Sequence, residues 1–159
     1  MAEPVELPRW VERAGGLCFR CTGCGRCCEG PQGYVWLEEG DVQRLARHLG
    51  MELHAFGRRY VRRVNGELAL LDQSNGDCIF YRRGRGCTVY PARPRQCRTY
   101  PFWPEIVRNA GSWRAEAERC PGIGFVAAEA AGGAPARLSP ARVLALLRAQ
   151  AGQGPEREV

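Results

Sequence analysis

The amino-acid sequence predicts a small single domain of the α+β class, with short strands and about three helices. The length of 159 residues fits one domain. Some segments repeat apolar residues at helical spacing, while others are short apolar runs typical of strands. Twenty glycines and eleven prolines predict prominent loops and turns. Nine cysteines, five of them within residues 18–28, set the chain apart from an ordinary domain of this size.

Three segments are predicted to be helical. Residues 41–50 have apolar side chains at helical spacing and end at Gly50, a natural C-cap. A second helix is predicted over residues 52–62. Near the end of the chain, Ser139 suits the N-cap and Pro140 the first position of a helix.

The strands are predicted from short apolar runs at residues 34–37 and 67–71. Residues 79–81 and 88–90 are expected to pair as a hairpin, and residues 73–77 to form a turn. Residues 113–118 alternate apolar and polar side chains, which predicts a half-buried strand. The first cysteine run contains glycines and is expected to be a tight loop.

The domain boundaries follow from composition. Residues 1–16 lack periodicity and end in two glycines, so we expect an N-terminal arm there. Residues 17–150 are expected to form the cysteine-rich domain, and the polar residues 151–159 a flexible tail. No internal repeat divides the sequence further.

Cysteines at three-residue intervals either form disulfides or bind metal. Disulfides require an oxidising compartment, but the N-terminus lacks the apolar stretch of a signal peptide. No run approaches the roughly 18 apolar residues that a membrane span needs. We therefore expect a cytoplasmic protein with reduced thiols and without membrane association, and an odd cysteine count also disfavours disulfides. Metal binding is the favoured interpretation.

The number of thiols constrains the site. A structural zinc ion or an iron–sulfur cluster takes four protein ligands, so eight cysteines would serve two sites and leave one spare. Neighbouring side chains usually diverge, so Cys27 and Cys28 are not expected to serve the same ion. The pair therefore favours two close metal positions, or one cluster with an extra thiol.

The net charge of +6 arises from arginine, since the sequence contains no lysine. Many arginines lie beside cysteines, where they could offset thiolate charge. This interpretation is favoured over a nucleic-acid surface. The two histidines, His48 and His54, are expected to be ordinary surface residues rather than ligands.

Four motifs occur in a fixed order. They comprise Phe19, Cys21, Cys24, Gly25, Cys27 and Cys28; then Cys78, Phe80 and Tyr81; then Cys87, Val89, Tyr90, Arg93, Pro94, Cys97, Arg98, Tyr100, Pro101 and Phe102; and finally Cys120, Pro121, Gly122, Ile123 and Gly124. In this order they resemble the YkgJ-type cysteine-cluster family, whose signature is CxxCxxCC and whose domain is described as zinc- or iron-chelating. The resemblance covers most of the chain.

The resemblance implies eight metal ligands and leaves Cys18 as the spare thiol. The implied ligands are Cys21, Cys24, Cys27, Cys28, Cys78, Cys87, Cys97 and Cys120. Similar clusters occur in flagellin lysine methylases, where they are associated with iron–sulfur chemistry. The long additional regions of those enzymes are missing from this sequence, so a methylase role is not expected.

The proline-rich segment around Cys97 is expected to surround the metal and exclude water. Arg93, Arg98 and Tyr100 are its candidate contacts, because they can donate hydrogen bonds to thiolates or nearby carbonyls. The alternative is a proline-rich turn with ordinary core aromatics.

The favoured function is a metal-binding protein with a redox or metal-handling role. An iron–sulfur cluster or iron is favoured over zinc, because eight thiolates exceed what one structural zinc uses. One alternative is a structural zinc module that mediates protein or RNA interaction. Another is a metal-dependent enzyme, such as a cluster-containing transferase, although the sequence contains no recognisable catalytic motif. A protein partner is left open, and a nucleic-acid partner is disfavoured.

Overall fold

The computed structural model describes residues 4–30, 33–124 and 136–152. The chain divides into two compact units. The terminal unit consists of Met1–Cys24 and Thr99–Val159, and the central unit of Gly25–Arg98. Both combine helices with short antiparallel strands, which confirms the α+β class.

The elements follow one another closely along the chain. In order they are α1 (Arg9–Arg13), β1 (Leu17–Phe19), β2 (Trp36–Leu37), α2 (Glu39–His48), α3 (Leu53–Tyr60), β3 (Val61–Val64), β4 (Glu67–Leu70), β5 (Tyr81–Arg82), β6 (Gly86–Cys87), a 3-10 helix (Tyr90–Ala92), α4 (Arg95–Thr99), α5 (Pro104–Val107), α6 (Ala110–Arg119), β7 (Ile123–Gly124), β8 (Arg137–Leu138) and α7 (Pro140–Gln150). The prediction of about three helices is therefore too low.

The terminal unit contains a three-stranded antiparallel sheet with the order β7-β1-β8. Phe19 of β1 lies opposite Ile123 of β7. Its ring meets that of Phe102 edge to face, with 5.6 Å between centroids. Phe102 is completely buried and also contacts Trp113 of α6. These aromatic contacts, with apolar residues of α7, form the core of this unit.

The central unit contains a second three-stranded antiparallel sheet, with the order β2-β4-β3. Its core includes Leu45 of α2 and Phe56 of α3, both fully buried. Phe80 and Val89, which flank the β5–β6 hairpin, belong to the same core. The segments that carry the later cysteines are therefore packed beside this unit's hydrophobic core.

Several predicted elements are confirmed, with altered ends. Helices α2 and α7 occur where their apolar spacing predicts them, and the Ser139 hydroxyl accepts a hydrogen bond from the Arg142 amide at 3.3 Å. The predicted helix over residues 52–62 ends at Tyr60, because Val61–Val64 pair with β4 instead. The predicted hairpin forms, but its paired strands are residues 81–82 and 86–87.

The prediction of a strand over residues 113–118 is wrong, because these residues lie within α6. Alanine, glutamate and arginine dominate the segment and favour a helix. The Asn109 side chain caps it by accepting a hydrogen bond from the Ser112 amide at 2.8 Å. The alternation of polar and apolar residues is a poor guide here, since only Trp113 is buried.

An N-terminal arm and a C-terminal tail are the expected ends of the chain, and the structure describes part of each. Residues 1–16 include α1, whose Val11 is fully buried in the core of the terminal unit. Most of the predicted tail, residues 153–159, lies outside the described residues. The boundaries at residues 16 and 150 stay predictions. Within the described part of the chain, no helix has the length and apolar character needed to cross a bilayer.

Candidate metal centre

The central unit contains five of the nine cysteines, and all nine are free thiols. These five, which we call the central thiols, are Cys27, Cys28, Cys78, Cys87 and Cys97. The other four, Cys18, Cys21, Cys24 and Cys120, belong to the terminal unit. Five of the eight predicted ligands thus occur within one compact unit.

A tight turn brings Cys27 and Cys28 together. The Cys28 amide donates to the Gly25 carbonyl at 2.8 Å, which closes the turn. The two Sγ atoms lie 3.8 Å apart. The expectation that these neighbouring side chains diverge is therefore wrong, because it assumes an extended or helical backbone and the chain turns here.

Gly25 allows an aromatic ring to cover this turn. Its φ is +78°, in the left-handed region that glycine favours. A Cβ atom at this position would lie 2.4 Å from Cε2 of Tyr81. The Tyr81 hydroxyl donates to the Glu29 carboxylate, one residue beyond Cys28. Tyr81 therefore contacts the cysteine loop at two points, with its ring at Gly25 and with its hydroxyl at Glu29.

Backbone hydrogen bonds connect Cys28 to Cys78. The Cys78 amide donates to the Cys28 carbonyl at 2.8 Å. Nearby, the Gly30 amide donates to Oδ1 of Asp77 at 2.7 Å. Nδ2 of Asn75 donates to Oδ2 of the same carboxylate, so the turn before Cys78 is itself braced. The two segments are thereby fixed side by side.

The chain between Cys78 and Cys87 is short and closely bonded. The Tyr81 amide donates to the Cys78 carbonyl at 2.9 Å, and Tyr81 lies opposite Cys87 in the β5–β6 pair. Nε2 of Gln73 donates to the carbonyls of both Cys78 and Tyr81, each at 2.8 Å. Three cysteines, Cys28, Cys78 and Cys87, are thus related through a continuous set of main-chain contacts.

The electrostatic environment of the central thiols reflects their proximity. Contact with the Cys27 thiol, followed by burial, raises the pKa of Cys28 far above its usual range. Burial raises the pKa of Cys78 to about 11. For Cys97 on α4, burial and then the charges of Cys78, Cys27 and Cys87 raise the pKa. Each of these thiols is disfavoured as a thiolate unless a positive charge enters the group.

The donor atoms suit zinc or iron, both of which bind thiolate well. Two sulfurs bonded at about 2.3 Å to one tetrahedral ion lie about 3.8 Å apart, which is the Cys27–Cys28 separation. Among the residues that the structure describes, however, no three His, Cys, Asp or Glu side chains form a ready-made metal site. The vicinal pair fits an ion as it stands, and further thiols would have to rotate towards it.

Two predicted contacts of the metal lie in the central unit. The Arg93 guanidinium stacks over the Tyr90 ring at 3.6 Å from its centroid, and its charge opposes the rise in the pKa of Cys97. Arg98 is buried, and Nε donates to the Arg93 carbonyl at 3.0 Å. Both arginines therefore flank Cys97, and whether they contact a metal stays a prediction.

Tyr100, the third predicted contact, belongs to the terminal unit. Its hydroxyl donates to Oε1 of Glu116 at 2.5 Å. Burial, then this bond, raises the pKa of Tyr100 far above its usual range, and Cys120 contributes to the same effect. The structure thus places Tyr100 beside Cys120, another predicted ligand.

The remaining terminal-unit cysteines differ in exposure. Cys18 is buried in β1, where it lies opposite Gly124 and Arg137. Cys21 and Cys24 are exposed in the loop that follows β1. Cys18 therefore has the setting of a core residue, while Cys21 and Cys24 are accessible to a ligand.

The sequence does not indicate several side chains whose hydrogen bonds hold the segments around the central thiols. These side chains are Glu29, Asp41, Gln73, Asp77 and Tyr81. Their partners are distant in sequence, so no local pattern indicates the contacts. Gly25 and Tyr81 both occur in the family motifs, and this shared membership is the one indication of their contact that the sequence offers.

Comparisons with known proteins agree with the cysteine pattern. An uncharacterized protein of Methanocaldococcus jannaschii is 32% identical over 65 residues, which cover 41% of this chain and 34% of that relative. The chain thus spans about a third of the length of the curated relative. No solved structure matches. The family described as "CxxCxxCC: Putative zinc- or iron-chelating domain" matches residues 20–121, more than half of the sequence. This protein belongs to the CxxCxxCC family.

Proposed function

We propose that this chain binds iron through cysteine thiolates, as an ion or an iron–sulfur cluster, and acts in redox chemistry or metal handling. The central thiols are the principal proposed ligands, and Cys21, Cys24 and Cys120 stay predicted ligands. The observation that carries the proposal is the set of contacts from Cys27 through Cys28 and Cys78 to Cys87.

Charge balance supports a cation among these thiols. Several thiolates within one compact unit repel one another, and burial adds to the cost of each. A divalent ion with four thiolates has a net charge of about −2, which nearby arginines reduce further. Burial raises the pKa of Cys97, and the charge of Arg93 opposes that rise and so favours the thiolate. The metal would supply the main positive charge, and the arginines the remainder.

Iron is favoured over zinc because the chain offers more thiols than one structural zinc takes. Gly23 and Gly25 of the cysteine loop have positive φ, and hydrogen bonds from backbone amides of this loop to sulfur would tune an iron–sulfur centre. Zinc is the second candidate. The 3.8 Å separation of the vicinal sulfurs supports it, since this distance suits two ligands of one tetrahedral ion.

Exposure of the cysteine loop supports a role in transfer. Cys27 is exposed, as are Cys21 and Cys24 of the same run. A centre held partly at the surface can exchange an electron or an ion with a partner more readily than one enclosed by the core. The central thiols would bind the metal, and α4 and the β5–β6 hairpin would position Cys97 and Cys87. Nearby arginines such as Arg93 would offset the negative charge of the ligands.

Serine substitutions test the proposed ligands. Cys28→Ser and Cys78→Ser should each lose most of the bound metal, because serine is a poor ligand for these ions. Cys24→Ser tests whether the terminal unit also contributes, and loss of metal is expected there too. Metal per chain is measured on protein purified without oxygen.

Cys18→Ser is the matched control, because it makes the same chemical change in a buried cysteine outside the family motif. It should retain the metal content of the unchanged protein. Equal loss in Cys18→Ser and Cys78→Ser would contradict the ligand assignment.

A further inference from the structure

We propose that Asp41 is a positioning residue for Cys97: its buried carboxylate anchors α4 and so sets where this thiol lies in the proposed centre. The inference rests on the proposed function for its metal-binding consequence. The placement of α4 can be tested without metal.

Asp41 lies in the first turn of α2 and is 1% exposed. Its Oδ1 accepts a hydrogen bond from the amide of Arg95, the first residue of α4, at 2.9 Å. Nη2 of Arg98 lies 3.9 Å from the same oxygen, and Arg44 forms an ion pair with it. One carboxylate therefore meets both the backbone and a buried side chain of α4.

Helix α4 needs such an anchor because it has only five residues. A helix this short is unstable alone, and its first amides have no partner within the helix. A carboxylate at that end satisfies an amide and complements the positive end of the helix dipole. Asp41 thus supplies from α2 what α4 cannot supply for itself.

The neighbours of Cys97 are tied to the same part of the unit. Oε1 of Gln96 accepts from the Trp36 amide at 2.9 Å, and Nε2 donates to the Tyr34 carbonyl at 3.1 Å. The Arg95 side chain pairs with Glu38, just before α2. Arg95 and Gln96 before Cys97, and Arg98 after it, thus contact α2 or the segments next to α2 and β2.

Cys97 lies between these anchored residues on α4 and in the same compact unit as the other central thiols. The anchored residues of α4 therefore act together to present this one thiol. Asp41 is central to that arrangement, because its carboxylate contacts both the backbone and a buried side chain of α4.

The test compares Asp41→Asn with the unchanged full chain in two measurements. The first is the labelling of each cysteine by iodoacetamide in reduced, metal-free protein, resolved by peptide mass. Labelling of Cys97 should rise roughly tenfold relative to Cys87, as expected if the anchored state loses about 1.4 kcal/mol. The second is affinity for ferrous ion without oxygen, which should fall by about 10- to 100-fold.

Leu45→Ala is the matched control, because it weakens the buried packing of the same helix and leaves the carboxylate in place. It should lower stability without changing the ratio of Cys97 to Cys87 labelling. Asp41→Glu is a second test variant that keeps the buried charge but displaces the carboxylate from the Arg95 amide, and it should change the ratio in the same direction as Asp41→Asn. If Asp41→Asn does not fold, Asp41→Glu decides the question.

An unchanged labelling ratio in the folded test variant, or the same change in Leu45→Ala, would overturn the positioning role. If the unchanged protein binds no ferrous ion, the proposed function fails, and the labelling ratio in metal-free protein still decides whether Asp41 positions Cys97. The two inferences can therefore fail separately.

Discussion

At the scale of single residues, the contact between Gly25 and Tyr81 shows how the cysteine loop is shaped. Only a residue without Cβ allows the Tyr81 ring to approach the turn that pairs Cys27 with Cys28. The Tyr81 hydroxyl then reaches Glu29 on the other side of the pair. A glycine that looks like a simple loop residue in the sequence thus determines how closely the hairpin covers the thiols.

Gly25→Ala should destabilise the protein more than Gly23→Ala. Both glycines have positive φ, which costs alanine about 1–2 kcal/mol. An added Cβ at Gly25 would also meet Tyr81, whereas none of the surrounding atoms lies within 4 Å of one at Gly23. The free energy of unfolding is measured by urea denaturation. Equal losses in the two variants would show that the Tyr81 contact imposes no requirement on position 25.

At the scale of elements, helix caps determine where local prediction succeeds. Ser139 and Pro140 mark the start of α7, and α7 begins there. Asn109 caps the start of α6 in the structure, whereas the alternation of residues 113–118 predicts a strand there and is wrong. A capping side chain hydrogen-bonds a backbone amide at the start of a helix, so it indicates the helix directly. A short alternation of apolar and polar residues also occurs on a largely exposed helix such as α6.

Asn109→Ala should therefore lower stability by about 1 kcal/mol, since it removes the acceptor for the Ser112 amide. Asn109→Asp keeps an acceptor at the same place and should retain stability. Both variants should keep the metal content of the unchanged protein, because Asn109 caps the end of α6 opposite Cys120. A urea denaturation series in which Asn109→Ala matches the unchanged protein would refute this role for the cap.

The pairing of distant segments is what the sequence could not predict. Spacing and resemblance identify the cysteines as candidate ligands, and five of them occur in one unit. The bond from Cys78 to the Cys28 carbonyl joins residues fifty positions apart. Asp41 and α4 are similarly distant in sequence. Such contacts depend on how the core of the central unit packs, and no local pattern encodes them.

At the scale of the whole molecule, the cysteines have two proposed roles, in folding and in metal binding. In the central unit their segments pack beside the hydrophobic core, so metal binding and folding should be coupled. Structural zinc sites contribute on the order of 10 kcal/mol to the folded state. The same ligands, with an exposed Cys27, would leave the metal accessible to a partner.

The most direct measurement is the content of iron, zinc and acid-labile sulfide per chain, with the visible spectrum, in protein purified without oxygen from iron-replete cells. Iron bound to the chain is the expected result, together with visible absorption and acid-labile sulfide if the centre is a cluster. Stoichiometric zinc without iron, sulfide or visible absorption would contradict the iron assignment and favour a structural zinc site. Protein without any bound metal would contradict the proposed function itself.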